Sequence, residues 1–347
     1  MSKELAYLPL VPPLAVAIYV ACVAGAGALA NCSVLAALLK SSRNGLCSII
    51  IQLAAADFLI IATSALPEIW FYNSGTWDFG KSSCIAYRGL NVFASTASSY
   101  LTATVALHTI ASLNLEEKFA AKRLKRHNED ESEEMGSSHH SLMASSDTST
   151  PPRTMNVDYR LMDKRVRVTP PTAFVWILSA SLSIPEFALA STVHLNQGTI
   201  LCTAIDSHHR LNMHSLLAAF NLFLPSLLMM FAAILIVVKL KSKHLPELDI
   251  CDANSALKLS LCLLIVYGVL CAPRSVSTVY HVYSRSYDES QTPSFDIELL
   301  DHTTATIRLA LSGAYVAATL IRPLLYVILL PKIRNVFSFG SRNREKV

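Results

Sequence analysis

Seven apolar stretches, each long enough to cross a bilayer, divide this chain, and most of its charge lies between them. They cover residues 14–39, 47–71, 89–113, 169–192, 215–238, 256–280 and 303–330. A helix rises about 1.5 Å per residue, so about 20 residues cover a hydrocarbon core of about 30 Å. Composition agrees, since 52% of residues are hydrophobic and only 16% are charged. A large soluble helical protein would instead carry a polar stripe on each helix. Residues 173–190, AFVWILSASLSIPEFALA, have small hydroxyls and one Glu but no broad polar face. The expectation is an all-α membrane protein built as a seven-transmembrane-helix bundle.

Loop charge sets the expected orientation. With the N-terminus outside, the inner pieces are 40–46, 114–168, 239–255 and 331–347, and they hold 20 of the 29 Lys and Arg residues. The outer pieces hold Lys3, Lys81, Arg88, Arg210 and Arg285, and four cations (Lys258, Arg274, Arg308, Arg322) fall within spans. The bias places the N-terminus outside and the C-terminus inside. The chain then divides into an extracellular segment 1–13, a bundle 14–330 and a cytoplasmic tail 331–347. The net charge of +4 reads as a topology signal and not as a nucleic-acid surface. No cleavable signal peptide is expected, because the first apolar run is too long for one.

Of eight cysteines, Cys22, Cys32, Cys47, Cys262 and Cys271 lie in or beside spans, and Cys251 falls in an inner loop. Only Cys84 and Cys202 face the oxidising side. They either bond to each other, tying a loop over the bundle mouth, or stand as two free thiols.

The residues around these landmarks resemble class A (rhodopsin-like) G-protein-coupled receptors. Span one carries Ala28-Leu29-Ala30-Asn31-x-x-Val34, similar to that family's GN-x-x-V, and span two carries Leu53-Ala54-Ala55-Ala56-Asp57, similar to L-A-x-x-D. Trp77-Asp78-Phe79-Gly80 before Cys84 is similar to W-x-F-G and the family's disulfide cysteine. Spans four to six hold Trp176, Pro185, Pro225 and Pro273, and span seven ends Arg322-Pro323-Leu324-Leu325-Tyr326, similar to NP-x-x-Y. Ser64-Ala65, Ile184-Pro185-Glu186-Phe187, Ser191-Thr192-Val193 and Gly198 are similar to the galanin-receptor-like branch of peptide receptors.

The resemblance implies an extracellular ligand, a heterotrimeric G protein or other cytoplasmic transducer, and a multi-pass place in the plasma membrane. It also exposes departures. The D/E-R-Y triplet falls on His108-Thr109-Ile110, so the transducer interface (His108, Thr109, Ile110, Tyr326) lacks its cation. Cys271 stands where the family has a Trp before the span-six proline. Coupling to G proteins is therefore expected to be atypical or weak.

Arg322 replaces an Asn one residue before the span-seven proline, at a depth where an unpaired cation is costly. The resemblance puts it beside Asp57, Asn31 and Ser98, where the family holds sodium, so Arg322 is expected to supply the positive charge itself. The alternative is snorkelling to the inner headgroups. Candidate ligand contacts in the outer half are Glu68, Tyr87, Arg88, Asn91, Glu186, Arg274, Arg308 and Tyr315, with Trp70 and Tyr72 near the lip. Mixed charge and aromatic rings suit a peptide better than a lipid or a small amine. The opposing reading is that these charges only satisfy one another.

The 114–168 loop begins with a stretch that could extend span three, followed by an insertion over 125–160 that is expected to be disordered. A phosphorylated segment, an inert spacer and a retained intron all fit it. Residues 331–339 read as a short amphipathic helix on the inner leaflet. No nucleophile–base set and no metal-ligand cluster stands out, so neither an enzyme nor a cofactor is expected. A non-signalling (decoy) binding protein remains open, as does a small secondary transporter, although no internal repeat supports the latter. Residues 303–330 contain no Lys for a retinal Schiff base.

Overall fold

The computed structural model describes residues 9–40, 44–136, 166–194, 199–204, 207–241, 250–291, 302–331 and 333–334. These residues build seven long helices and one hairpin. Helix α1 joins Pro13–Tyr19, a π turn Val20–Ala24 and Gly25–Lys40. Helix α2 joins Gly45–Ile60, Ile61–Ala65 and Pro67–Ser74, and α3 is Gly80–Gly136. Helix α4 is Thr169–Leu189, followed by strands β1 (Ala190–His194) and β2 (Ile200–Ala204). Helix α5 joins Ser207–Leu217, Ala218–Phe223 and Leu224–Lys241. Helix α6 joins Ile250–Val266, Tyr267–Cys271 and Ala272–Gln291, and α7 is His302–Leu329.

Six of these helices are long and apolar enough to cross a membrane, and α3 is the exception. Its position explains why. Helix α3 packs against α2, α4, α5 and α6 together, so few of its side chains face lipid. Leu101, Val105 and Thr109 are fully buried among protein atoms. Hydroxyls are tolerated there because each can bond within the helix. Thr96, Ser99, Thr102, Thr104 and Thr109 donate to the carbonyls of Val92, Ser95, Ser98, Tyr100 and Val105. Centrality lowers the apolarity of α3 without removing it from the bundle.

Proline shapes the other helices. Three π turns each end two residues before one: Pro67, Pro225 and Pro273. A proline has no N–H and its ring crowds the carbonyl four residues back, so a widened turn relieves the clash. The freed carbonyls find other donors. Tyr100 Oη donates to the Phe220 carbonyl at 2.7 Å, five residues before Pro225. Asn31 Nδ2 donates to the Thr319 carbonyl at 2.9 Å, four residues before Pro323.

The hairpin lies across one end of the bundle. Strands β1 and β2 pair antiparallel, with Thr192 opposite Cys202. Cys202 is disulfide-bonded to Cys84 near the start of α3. Trp77 is fully buried beside the bridge against Phe71 and Tyr87, and its backbone N–H donates to the Ile200 carbonyl at 2.7 Å. The bridge and the Trp77 anchor thus fix the hairpin from two sides. Cys84→Ser or Cys202→Ser is expected to reduce surface delivery sharply, since a crosslink of this kind is typically worth about 2–4 kcal/mol. Peptide mapping that recovers both thiols free from surface-delivered protein would contradict this.

The all-helical bundle stands as expected, and residues 190–194 and 200–204 add a two-stranded hairpin to it. Three expectations need correction. Span four ends at Leu189 and not at residue 192, and its C-cap Ala190 is already extended. Helix α3 continues to Gly136, so the first part of the 125–160 insertion is helical. Cys251 lies in the first turn of α6 and not in a loop. The rest of the insertion and the tail beyond 334 lie outside the described residues.

Candidate functional site

Two ionic networks cross the bundle, roughly 15 Å apart along α2 by helix rise. The one nearer the hairpin centres on Glu68, in the last segment of α2. Arg274 of α6 grips both its oxygens, Nε to Oε1 at 2.8 Å and Nη2 to Oε2 at 2.6 Å. Asn91 Nδ2 of α3 donates to Oε2 at 3.0 Å, and Ser312 Oγ of α7 donates to Oε1 at 2.6 Å. Asn91 also donates to Ser64 at 2.8 Å and accepts from Arg274 at 3.2 Å. The Arg274 guanidinium lies 4.5 Å from the centre of the Tyr315 ring. One buried carboxylate therefore joins four helices.

The remaining charges sit beside it. Arg88 of α3 pairs with Glu186 of α4 at 2.7 Å, and Glu186 is 5% exposed. Gly89 brings these helices together, because a Cβ there would lie 2.4 Å from the Phe187 ring. Arg308 of α7 lies 5.7 Å from the centre of the Tyr72 ring, and no carboxylate contacts it among the described residues. The Tyr87 ring lies against Trp77, with ring centroids 5.0 Å apart. Trp70 Nε1 donates to Asp78 at 3.2 Å at the rim. Of three arginines, two have dedicated carboxylates and the third has only an aromatic face.

Removing one member of such a pair strands its partner. Glu68→Gln is expected to lower the stability of the purified protein by about 3 kcal/mol, more than the double change Glu68→Leu with Arg274→Met. Thermal unfolding in detergent checks this; equal losses from single and double variants would contradict it.

The deeper network centres on Arg322 of α7, which is 1% exposed. Its Nη1 bonds to Asp57 Oδ1 of α2 and donates to Ser98 Oγ of α3 at 2.6 Å. Its Nη2 donates to Cys271 Sγ of α6 at 3.3 Å. Arg322 thus reaches α2, α3 and α6 at once, and it points inward and not towards either headgroup layer. Asn31, also fully buried, bonds to the backbone instead of to these side chains. Its amide donates to the carbonyls of Gly27 and Thr319, so its role is to satisfy the backbone before Pro323.

At the end away from the hairpin, His108, Thr109, Ile110 and Tyr326 are all buried, at 5%, 0%, 6% and 0% exposure. Thr109 accepts a hydrogen bond from Ser260 of α6 at 3.1 Å, closing α3 on α6. Residues assigned to a transducer surface therefore face other helices in this conformation. Beyond them, Lys239 of α5 bonds to Glu117 of α3 at 2.5 Å.

Several contributors escaped the sequence reading: Ser64, Ser260, Cys271 as an acceptor, Ser312 and Thr319. A signal did exist on α7. Arg308, Ser312, Tyr315, Thr319, Arg322 and Tyr326 recur every three to four residues, which aligns them on one face. For Ser260, a lone hydroxyl in an apolar run, no comparable signal is present.

Comparison with known proteins agrees with this architecture. A family model described as "7 transmembrane receptor (rhodopsin family)" matches residues 154–326. The match takes in α4 to α7 and ends on Tyr326. No curated protein matches the chain. Proteins of this family are receptors and not enzymes, and a multi-pass membrane protein follows from the match together with the apolar helices.

Proposed function

We infer from the rhodopsin-family receptor domain at residues 154–326 that this chain is a plasma-membrane receptor with its hairpin end outside. The bias of Lys and Arg towards the opposite loops supports that orientation. The ligand is a peptide that enters beneath the hairpin and meets the Glu68, Tyr87, Arg88, Asn91, Glu186, Arg274, Arg308 and Tyr315 group. One observation carries this reading: a mixed-charge cluster drawn from α2, α3, α4, α6 and α7 lies under a disulfide-anchored lid. Intramembrane charges of this density mark binding sites more often than plain scaffolding.

The charge balance says what the peptide brings. Glu68 and Glu186 are already paired with Arg274 and Arg88, so an amine ligand finds neither of these buried carboxylates open. Arg308 has only the Tyr72 ring, so an acidic side chain or a free C-terminal carboxylate is the group it accepts. The features shared with the galanin-receptor-like branch fit a peptide ligand as well. A panel of short acidic peptides, applied to cells expressing the chain or its Arg308→Gln variant, tests this. Binding that disappears in the variant supports the reading, and equal binding by amidated, acid-free peptides contradicts it.

On the inner side, coupling is weak. Thr109 has neither the charge nor the reach of the arginine that resembled receptors carry at this position, and His108 provides no carboxylate beside it. The two ionic networks hold α6 against α2, α3 and α7, which favours the closed arrangement.

A further inference from the structure

The chain is held at the mouth of the bundle before α1 begins. Asn73, 2% exposed in the last turn of α2, accepts the Val11 N–H on Oδ1 at 2.7 Å. Its Nδ2 donates to the Val11 carbonyl at 2.9 Å, and the Leu10 N–H donates to the Asn73 carbonyl at 3.3 Å. Pro12 is extended, with φ −52° and ψ 132°, so the chain leaves α1 as a strap and not as another helical turn. Val11 packs on a cluster holding Ile69 of α2 and Val316 of α7, which Leu309 also contacts. The strap therefore lies on the seam between α2 and α7. Tyr72 precedes the clamp residue Asn73, Arg308 precedes Leu309, and the two meet there as ring and guanidinium.

We propose that the resident partner of Arg308 is the chain's own N-terminal segment, with Glu4 as the carboxylate it binds. This rests on the reading of Arg308 as the acid-accepting group and names what occupies it before a peptide arrives. Three observations select Glu4. The first is charge: Arg308 meets no carboxylate among the described residues, and Glu4 is the one acidic residue between Met1 and Val11. The second is reach. The chain from Glu4 to Val11 spans at most about 25 Å when extended, whereas Tyr72 and the clamp residue are neighbours, about 3.8 Å apart between Cα atoms. The third is the clamp itself, which makes the contact intramolecular. A short tether holds its group at an effective concentration in the millimolar range, so even a weak, half-exposed ion pair forms. An acidic peptide from outside then has to displace Glu4.

The test uses the full chain in phosphatidylcholine nanodiscs without added peptide, carrying photoreactive p-benzoylphenylalanine in place of Tyr7. Crosslinks are expected to concentrate on residues 302–313 and 68–77. They are expected to fall severalfold in Glu4→Gln and in Arg308→Gln, and to return when Glu4→Arg is combined with Arg308→Glu. Glu4 lies ahead of the bundle, so Glu4→Gln is expected to fold, which undiminished surface delivery verifies. Crosslinking indifferent to Glu4→Gln would overturn the proposal and point to the carboxylates of 288–301 as partners of Arg308 instead. Crosslinking that follows Glu4 while acidic peptides fail to bind would uphold the proposal and count against the peptide reading. Acidic peptides that bind Glu4→Gln no more tightly than the unmodified chain would overturn the proposal and leave that reading intact.

Discussion

Arg322→Met lowers the stability of the purified protein by about 3–5 kcal/mol, and Asp57→Leu does the same, whereas the double variant loses less than either alone. Arg322 and Asp57 are 1% and 0% exposed and bond to one another, with Ser98 and Cys271 taking further guanidinium hydrogens. Truncating one partner leaves an uncompensated charge in a low-dielectric interior, while truncating both removes the penalty along with the attraction. Thermal unfolding of the three variants in one detergent measures the coupling; additive losses would show that the pair is not a unit. The same geometry is expected to disfavour a bound sodium ion. A second cation about 4 Å from the guanidinium is repelled by about 4 kcal/mol at an effective dielectric constant near 20, roughly a thousandfold in affinity. Exchanging sodium for N-methylglucamine is therefore expected to leave the unfolding temperature unchanged.

Thr109→Arg raises ligand-independent transducer recruitment in cells and lowers thermal stability. Thr109 is fully buried and takes its hydrogen bond from Ser260, so the closed arrangement has no room for a guanidinium and no carboxylate at position 108 to receive it. The substitution destabilises the closed state and supplies the missing cation to the open one, and both effects shift the population the same way. Recruitment unchanged from the parent chain would count against Thr109 as the reason for weak coupling. Stability unchanged would count against closure at this point.

What the sequence disclosed, and what it withheld, follows from how each feature is encoded. Apolar runs, a loop-charge bias and prolines are properties of single segments, and they delivered the helices and their kinks. Arg322 stood out because a cation at mid-span has few explanations. The bridge between Cys84 and Cys202 was legible because only two cysteines lay on one side of the predicted topology. Partner choice was harder. Glu68 and Arg274 are separated by more than two hundred residues, and only the packing of α2 and α6 around α3 and α7 decides that they meet. For Asn31 a family position suggested the polar core, and only the structure shows its amide bonding the carbonyl freed by Pro323. Helix α3 carried its polar residues for a reason invisible locally: it is surrounded by other helices, so lipid never selects its composition.

The central claim is a receptor that binds its ligand beneath the hairpin yet engages G proteins poorly through the usual inner surface. The most direct test is nucleotide exchange on a purified heterotrimeric G protein by the unmodified chain in nanodiscs. The account predicts exchange no faster than the G protein's own spontaneous rate, with acceleration appearing in Thr109→Arg. Robust exchange by the unmodified chain, abolished by Arg274→Ala and by Asn91→Ala, would contradict it.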